Sequence, residues 1–133
     1  LVGSEMCIRD SNISSDYGII SPNQNIYRKE GVAEEDQTIK PVSYSVVKHG
    51  IMGLTKYLAT YWGKKGVRVN TLCPASLQNG QDPEFIEKLS ALVPMGRMSR
   101  PDEYPATVLY MLSDASSYMT GATVVLDGGR TIW

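Results

Sequence analysis

The sequence has few of the residues that form disulfide frameworks and metal sites. Its 133 residues include 2 cysteines and 1 histidine. Cys7, Cys73 and His49 show no paired spacing of the kind that metal ligands need, so no metal site is expected. Two cysteines do not make a disulfide framework, and a cytoplasmic location is the simplest expectation.

The chain also lacks a surplus of charge and a long apolar run. It carries 13 basic and 14 acidic residues and a net charge of −1, so neither nucleic acid nor an anionic membrane is an expected partner. The longest apolar stretches fall far short of the roughly 20 residues that span a bilayer. A hydrophobic content of 42% is ordinary for one globular domain with a modest core.

A glycine-rich turn after an opening strand is missing as well. Dinucleotide-binding Rossmann domains place this turn before a helix whose N-terminus faces the pyrophosphate. Gly50 and Gly53 lie within a predicted helix, and Gly128 and Gly129 come at the far end of the chain. Neither pair can form that turn.

The sequence does contain a tyrosine and a lysine four positions apart, Tyr44 and Lys48. Residues at this spacing lie on one face of a helix, about one turn apart. A free tyrosine ionises at about pH 10, and a fixed cation nearby stabilises the phenolate. The pair therefore predicts proton transfer near neutral pH, although such a pair in isolation more often belongs to a solvated helix face.

Four segments follow one another in the order found in short-chain dehydrogenases and reductases. They are Asn-Ile-Ser-Ser at 12–15, Tyr-x-x-x-Lys at 44–48, Val-Arg-Val-Asn leading to proline at 67–74, and Thr-Gly to Asp-Gly-Gly at 120–129. Residues 12–133 resemble the C-terminal half of this family. The resemblance implies an α/β fold, a Rossmann-type parallel sheet with flanking helices that is incomplete because the N-terminal half is absent.

The resemblance also implies catalytic roles for three residues. Ser15 would hydrogen-bond the reacting oxygen, Tyr44 would be the general acid or base, and Lys48 would hold the nicotinamide ribose. The implied function is an NAD(P)-dependent oxidoreductase that interconverts an alcohol and a ketone. This chain alone is expected to be inactive, and the alternative is a non-catalytic Rossmann scaffold or assembly subunit.

The same resemblance implies contacts with NAD or NADP from Pro74, Ala75 and Leu77, in addition to Tyr44 and Lys48. Ala75 stands where the family usually has glycine. The Cβ of alanine penalises positive φ and hinders close backbone approach, so the nicotinamide geometry depends on whether glycine is needed there.

The segment between Ser15 and Tyr44 is longer than is usual in the family and is expected to shape the substrate pocket. The alternative is a solvated loop without substrate contact. The patterns Pro-x-Gln-x-Ile-Tyr at 22–27 and Asp-Gly-Gly-x-Thr-x-Trp at 127–133 resemble bacterial enzymes of surface-sugar and flagellin modification. They indicate a small-molecule substrate, a sugar or nucleotide-sugar.

The capping residue Ser43, the terminating Gly66 and the helical spacing of apolar residues between them predict a helix from Tyr44 to Lys65. Its core-facing stripe is predicted to be Val47, Ile51, Leu54, Leu58 and Trp62. Small residues on this helix, Gly50, Gly53 and Ala59, allow close helix approach. A homodimer or homotetramer is therefore expected by resemblance, and intramolecular packing is the alternative.

Further elements are predicted along the chain. Buried strands are expected at 67–73 and 123–126, a helix capped by Asp82 with Pro83 at its first position, and another helix that starts at Pro101. Residues 1–11 are predicted to be a non-native leader, because the charges of Arg9 and Asp10 stand where the family has a buried strand. Residues 12–133 then form part of a single domain.

Overall fold

Three parallel strands form one sheet in the computed structural model, which describes residues 8–133. The strands are β1 (Arg9–Ile13), β2 (Arg68–Pro74) and β3 (Thr123–Leu126), and their order is β1-β2-β3. The predicted α/β class with a parallel sheet is confirmed, and both predicted strands lie within one residue of their expected positions.

β1 begins earlier than the sequence suggested. Arg9 and Asp10 pair with Arg68 and Val69 of β2, so the prediction that residues before 12 do not continue the strand is wrong for residues 9–11. An outer strand tolerates these charges, because Asp10 is exposed and Arg9 forms an ion pair with Asp114. Residues 1–7 of the predicted leader lie outside the described residues, and its non-native origin stays a prediction.

Three helices flank the sheet: α1 (Val42–Trp62), α2 (Pro83–Ser90) and α3 (Pro105–Leu112). No helix among residues 8–133 is both long enough and apolar enough to cross a membrane. Short 3-10 helices complete the fold at Asp16–Gly18, Gln24–Tyr27, Glu34–Asp36, Gly63–Lys65, Pro101–Glu103 and Asp114–Ser116.

Side chains of β2 show that α1 and α3 cover opposite faces of the sheet. The hydroxyl of Thr71 donates to the hydroxyl of Thr55 in α1 at 2.6 Å. The guanidinium of Arg68 donates to the carbonyl of Met111 in α3 at 3.1 Å. Residues at an odd spacing along a strand point to opposite faces, so Thr71 and Arg68 hold the two helices on different sides.

The ends of α1 differ from the predicted ones. Pro41 rather than Ser43 occupies the N-cap position, and the α-helical part ends at Trp62. Gly66, after one turn of 3-10 helix, has φ 77° and ends the segment in the left-handed conformation. The prediction that Gly66 ends the helical segment is therefore confirmed. Glycine suits this position because it adopts the left-handed conformation at little cost.

The face of α1 that meets the sheet also differs from the predicted stripe. Thr55 and Ala59 are its buried residues, whereas Val47 and Leu54 are 58% and 49% exposed. Thr55 faces inward because its hydroxyl also accepts from the amide of Asn12 in β1 at 3.0 Å. An apolar surface consequently remains on the outside of α1.

The core is deepest along β2, where Val69, Leu72 and Cys73 are buried. β3 was also predicted to be buried, but it is an edge strand of the three-stranded sheet. Its Val125 is 41% exposed. The predicted cap of α2 is confirmed, since the Asp82 carboxylate accepts from the backbone N–H of Glu84 at 3.0 Å.

Candidate functional site

Ser15 lies two residues after Ile13, the last residue of β1. It caps the 3-10 helix 16–18, and its Oγ accepts from the backbone N–H of Tyr17 at 3.2 Å. The same Oγ donates to Oδ1 of Asp16 at 2.7 Å. The hydroxyl of Ser15, which is 7% exposed, must therefore turn away from Asp16 before it can donate to a substrate oxygen.

Two hydrogen bonds join Lys48 of α1 to this part of the chain. The hydroxyl of Ser14 donates to the backbone carbonyl of Lys48 at 2.7 Å. The ammonium of Lys48 donates to the backbone carbonyl of Ile13 at 3.1 Å. The lysine is thus held at both its backbone and its side chain beside the end of β1.

Gly18 allows α1 to come this close. A Cβ at position 18 would lie 2.8 Å from the backbone carbonyl oxygen of Lys48, which is nearer than real Cβ atoms approach. The close packing of the turn 16–18 against α1 therefore depends on the absence of a side chain at this position.

Tyr44 lies one helical turn before Lys48, as the spacing predicted. The Lys48 ammonium is 5.6 Å from the centroid of the Tyr44 ring, and the Lys40 ammonium is 3.7 Å from it. Tyr17 packs its ring edge-on to Tyr44, with centroids 6.3 Å apart. Lys40 was not identified from the sequence, although its position directly before Pro41 and the helix places it one turn from Tyr44.

The structure therefore brings Tyr44, Lys48 and the turn that carries Ser15 to the carboxyl end of β1. Ligands of open α/β sheets bind at this edge. Among the other candidates, His49 is exposed and its Nδ1 is 2.9 Å from the backbone carbonyl of Ser45.

Pro74, Ala75 and Leu77 lie at the end of the neighbouring strand β2, at the same edge of the sheet. Pro74 is the last residue of β2, and the N–H of Ala75 donates to the carbonyl of Leu126 at 3.0 Å. No non-glycine residue among residues 8–133 has a positive φ. Ala75 therefore adopts no conformation that requires glycine. Of the two ways in which alanine could disturb the nicotinamide geometry, the need for a positive φ is removed.

The segment between Ser15 and Tyr44 is anchored in the core through Ile26 and Tyr27. Ile26 is buried against Leu89 and Met98, and the Tyr27 hydroxyl donates to the Tyr17 hydroxyl at 3.2 Å. Residues 29–36 are exposed. The segment thus combines a packed part with a solvated part, and residues of the segment and of α2 together line a cavity of about 330 Å³.

A second cavity, of about 350 Å³, lies on the Asp16 side of Ser15. It borders Ala75 at the end of β2 and Asp127 after β3, while Tyr44 and Lys48 lie outside its lining. Asp16 and Arg130 line this cavity and were not identified from the sequence. The available signal was a carboxylate directly after the candidate Ser15, in a stretch that continues as Tyr-Gly-Ile-Ile.

Burial has electrostatic consequences at this turn. Desolvation raises the pKa of Asp16, against hydrogen bonds from Ser15 and Tyr17 and the charge of Arg130, which lower it. Burial also raises the pKa of Tyr17. Tyr17 is therefore a neutral neighbour of Tyr44 at physiological pH.

A family model described as enoyl-(acyl carrier protein) reductase matches residues 29–131. A solved short-chain dehydrogenase from Leptospira borgpetersenii with bound NAD+ superposes with a TM-score of 0.81 at 33% identity, covering 91% of this chain and 43% of that one. The chain belongs to the short-chain dehydrogenase/reductase family.

Curated relatives in this family are about 40% identical to the matched part of the chain. Galactitol 2-dehydrogenase (L-tagatose-forming) of Cereibacter sphaeroides is 40% identical over 97 residues, which are 68% of this chain and 38% of the relative. D-threitol dehydrogenase of Mycolicibacterium smegmatis is 40% identical over 96 residues, 68% and 37%. The chain thus spans less than half the length of these short-chain dehydrogenases.

Proposed function

We propose that this chain supplies the proton-transfer machinery of an NAD(P)-dependent oxidoreductase that interconverts an alcohol and a ketone. The observation that carries the proposal is the pair of hydrogen bonds that holds Lys48 to Ser14 and Ile13. These bonds hold Lys48, one helical turn from Tyr44, against the two residues directly before Ser15. That position supports the proposal, because ligands of open α/β sheets bind at this edge.

Each of the three residues has a distinct role in the proposal. In the reducing direction, the Ser15 hydroxyl donates a hydrogen bond to the carbonyl oxygen of the substrate. Tyr44 gives its phenolic proton to the same oxygen as negative charge develops there. Lys48 places a cation near the resulting phenolate and holds the nicotinamide ribose.

The cofactor in the proposal is NAD or NADP, which supplies or accepts the hydride when bound. The described residues fit its nicotinamide and ribose end. Lys48 projects beside the end of β1, Pro74 is the last residue of the adjacent β2, and Ala75 and Leu77 follow it. The fit is supported by the relative from Leptospira borgpetersenii, whose structure contains NAD+.

The proposed substrate is a polar, sugar-like small molecule. Support comes from the relatives named for galactitol and threitol, two sugar alcohols. A nucleotide-sugar is retained as the alternative from the sequence patterns at 22–27 and 127–133. A cytoplasmic location is also part of the proposal, and it is consistent with Cys73, which is buried and forms no disulfide within residues 8–133.

The experiment compares the 133-residue chain with the longer product of its upstream coding sequence. Both are incubated with NAD+ or NADP+ and a panel of sugar alcohols that includes galactitol and D-threitol, and the absorbance of the reduced nicotinamide is followed. We expect turnover from the longer product and none from the 133-residue chain. Turnover by the short chain would contradict its inactivity. A longer product that neither binds NAD(P)H nor turns over the panel would favour a scaffold.

One surface of α1 supports a homodimer or homotetramer. The same surface would also serve the alternative, a non-catalytic scaffold. The outer face of α1 exposes apolar side chains that a soluble monomer would bury: Val46, Val47, Leu54, Tyr57 and Tyr61. The rings of Tyr57 and Tyr61 stack 5.8 Å apart. We propose that a second copy of the protein covers this face.

Replacing Leu54 by glutamate is expected to convert the oligomer of the longer product to a monomer, since a charge in an apolar interface loses its hydration. Light scattering after size exclusion gives the mass. Thr60→Glu, also exposed on α1, is the control for added charge. An unchanged mass for Leu54→Glu with an intact circular dichroism spectrum would contradict the proposed interface.

A further inference from the structure

The loop that follows β2 is held by two hydroxyl groups from a different part of the chain. The hydroxyl of Tyr104 donates to the backbone carbonyl of Ala75 at 3.2 Å, and the hydroxyl of Ser99 donates to the backbone carbonyl of Ser76 at 3.1 Å. The two hydroxyls also contact each other. Because the bonds end on carbonyl oxygens of consecutive residues, they restrain the backbone of the loop.

Backbone hydrogen bonds join the same two segments further along the loop. The N–H of Gln78 donates to the carbonyl of Ser99 at 2.9 Å, and the N–H of Ser99 donates to the carbonyl of Ser76 at 3.3 Å. Leu77 and Ser99 form a parallel bridge. Residues 76–78 therefore have an extended partner around Ser99, and Tyr104 adds the contact that lies closest to the end of β2.

The segment that carries both hydroxyls is itself fixed by an ion pair. The guanidinium of Arg97 donates to both carboxylate oxygens of Glu103, at 2.8 and 2.6 Å, and the same carboxylate accepts from the backbone N–H of Arg100 at 2.7 Å. The hydrogen bonds from Arg97 lower the pKa of Glu103 to about 2, so the ion pair persists at neutral pH. Ser99 lies within this turn and Tyr104 directly follows it.

Packing around the loop is incomplete, because one side of it borders a cavity. The lining of the cavity of about 350 Å³ includes both carriers of the hydroxyls and both acceptor residues: Ala75, Ser76, Ser99 and Tyr104. The next residues of the loop, Leu77 and Gln78, are exposed. Hydrogen bonds therefore contribute much of the order of this loop. Burial raises the pKa of Tyr104, which keeps its hydroxyl protonated as a donor at neutral pH.

We infer that Tyr104 is a positioning residue that, with Ser99, sets the place of the loop backbone at 75–77 against the nicotinamide end of NAD or NADP. The inference rests on the proposed function, which assigns cofactor contacts to Ala75 and Leu77. The Cβ of Ala75 limits how closely the backbone can approach a ligand, so the loop has little room for displacement. Without the Tyr104 hydroxyl, the loop spends less time in the binding conformation, and the apparent affinity falls in proportion.

Tyr104→Phe removes the hydroxyl and keeps the ring. In the 133-residue chain, amide hydrogen exchange followed by NMR is expected to become about three- to tenfold faster at Gln78 and Ser99, the change that corresponds to the loss of one ordinary hydrogen bond. Tyr118→Phe is the control, because Tyr118 is fully exposed, and it is expected to leave both rates unchanged. Unchanged rates in Tyr104→Phe would overturn the inference.

Cofactor affinity in the longer product separates positioning from a general loss of stability. Tyr104→Phe is expected to weaken NAD(P)H binding about three- to tenfold, measured by nicotinamide fluorescence. Binding of ADP-ribose, or of its 2′-phosphate if NADP is preferred, is measured by calorimetry and is expected to stay within about twofold, because these ligands lack the nicotinamide. Ser99→Ala is expected to show the same pattern, and Tyr118→Phe is expected to change neither affinity.

Equal losses of affinity for NAD(P)H and ADP-ribose in Tyr104→Phe would contradict a positioning role, since the effect would not be confined to the nicotinamide end. Equal NAD(P)H affinity with and without the hydroxyl would contradict it as well. If Tyr104→Phe fails to fold, Ser99→Ala decides by the same measurements. An unsubstituted longer product that binds neither ligand would refute the proposed function, and the exchange rates would still show whether Tyr104 orders the loop.

Discussion

Tyr44→Phe in the proposed longer enzyme is expected to lower kcat by about 10²- to 10⁴-fold, the usual contribution of a general acid or base. Phenylalanine keeps the ring that packs edge-on to Tyr17 and lies beside Lys40 and Lys48, so folding and cofactor affinity should change little. Steady-state rates, with NAD(P)H affinity from nicotinamide fluorescence, measure the two effects separately.

Tyr118→Phe is the matched control, because Tyr118 is fully exposed and lies outside α1 and its proposed interface. Its kcat is expected to stay within a factor of two or so of the unsubstituted enzyme, since surface substitutions usually change little. If Tyr44→Phe and Tyr118→Phe have the same rate, proton transfer by Tyr44 is refuted. In that case the scaffold alternative becomes the better account of α1.

Gly18→Ala is expected to have the second largest effect, because it acts on both stability and catalysis. The new Cβ would lie 2.8 Å from the Lys48 carbonyl oxygen, and α1 must move outward to relieve the contact. Overpacking of this kind costs about 1–3 kcal/mol of unfolding free energy. A shift of about 1 Å between reacting groups lowers rates on the order of 10²-fold. Urea unfolding and kcat measure the two losses.

Gly63→Ala is the control for this prediction. Gly63 has φ −54°, and a Cβ there would meet no heavy atom of the described residues within 4 Å. Its unfolding free energy should therefore remain within about 0.5 kcal/mol. The double substitution Ser14→Ala with Gly18→Ala tests which contact matters, because the Cβ would also meet the Ser14 hydroxyl. Full recovery in the double variant would show that the backbone of Lys48 is not the obstacle.

The elements of this fold were predictable where local chemistry determines them. Pro83 after Asp82 starts α2 as expected, Gly66 ends the segment that follows α1, and the β-branched run before Pro74 forms β2. Tyr44 and Lys48 share a helix face for the same reason, since their four-residue spacing is a property of the helix itself. Their catalytic and cofactor roles, with those of Ser15, Pro74, Ala75 and Leu77, stay predictions.

The sequence was less informative where distant segments meet. The inward face of α1 was misjudged because Thr55 is held by Thr71 and Asn12, which are remote in sequence, and a hydrophobicity stripe cannot register such polar contacts. Arg130 and Asp16 lie more than one hundred positions apart and meet only through the cavity. The contact of Lys40 with the Tyr44 ring could not be predicted either, because it depends on how the segment before α1 turns.

The pairing of the strands also determines the order in which this protein can fold. Arg9 pairs with Arg68 and Thr71 pairs with Thr123, so the paired residues of adjacent strands lie more than fifty positions apart. Contacts between residues this far apart are slow to form, whereas helical contacts are local and quick to form. On a ribosome, α1 can therefore form early, but β1 must wait for residue 68 before it pairs with β2, and β3 joins β2 only after residue 123 has emerged.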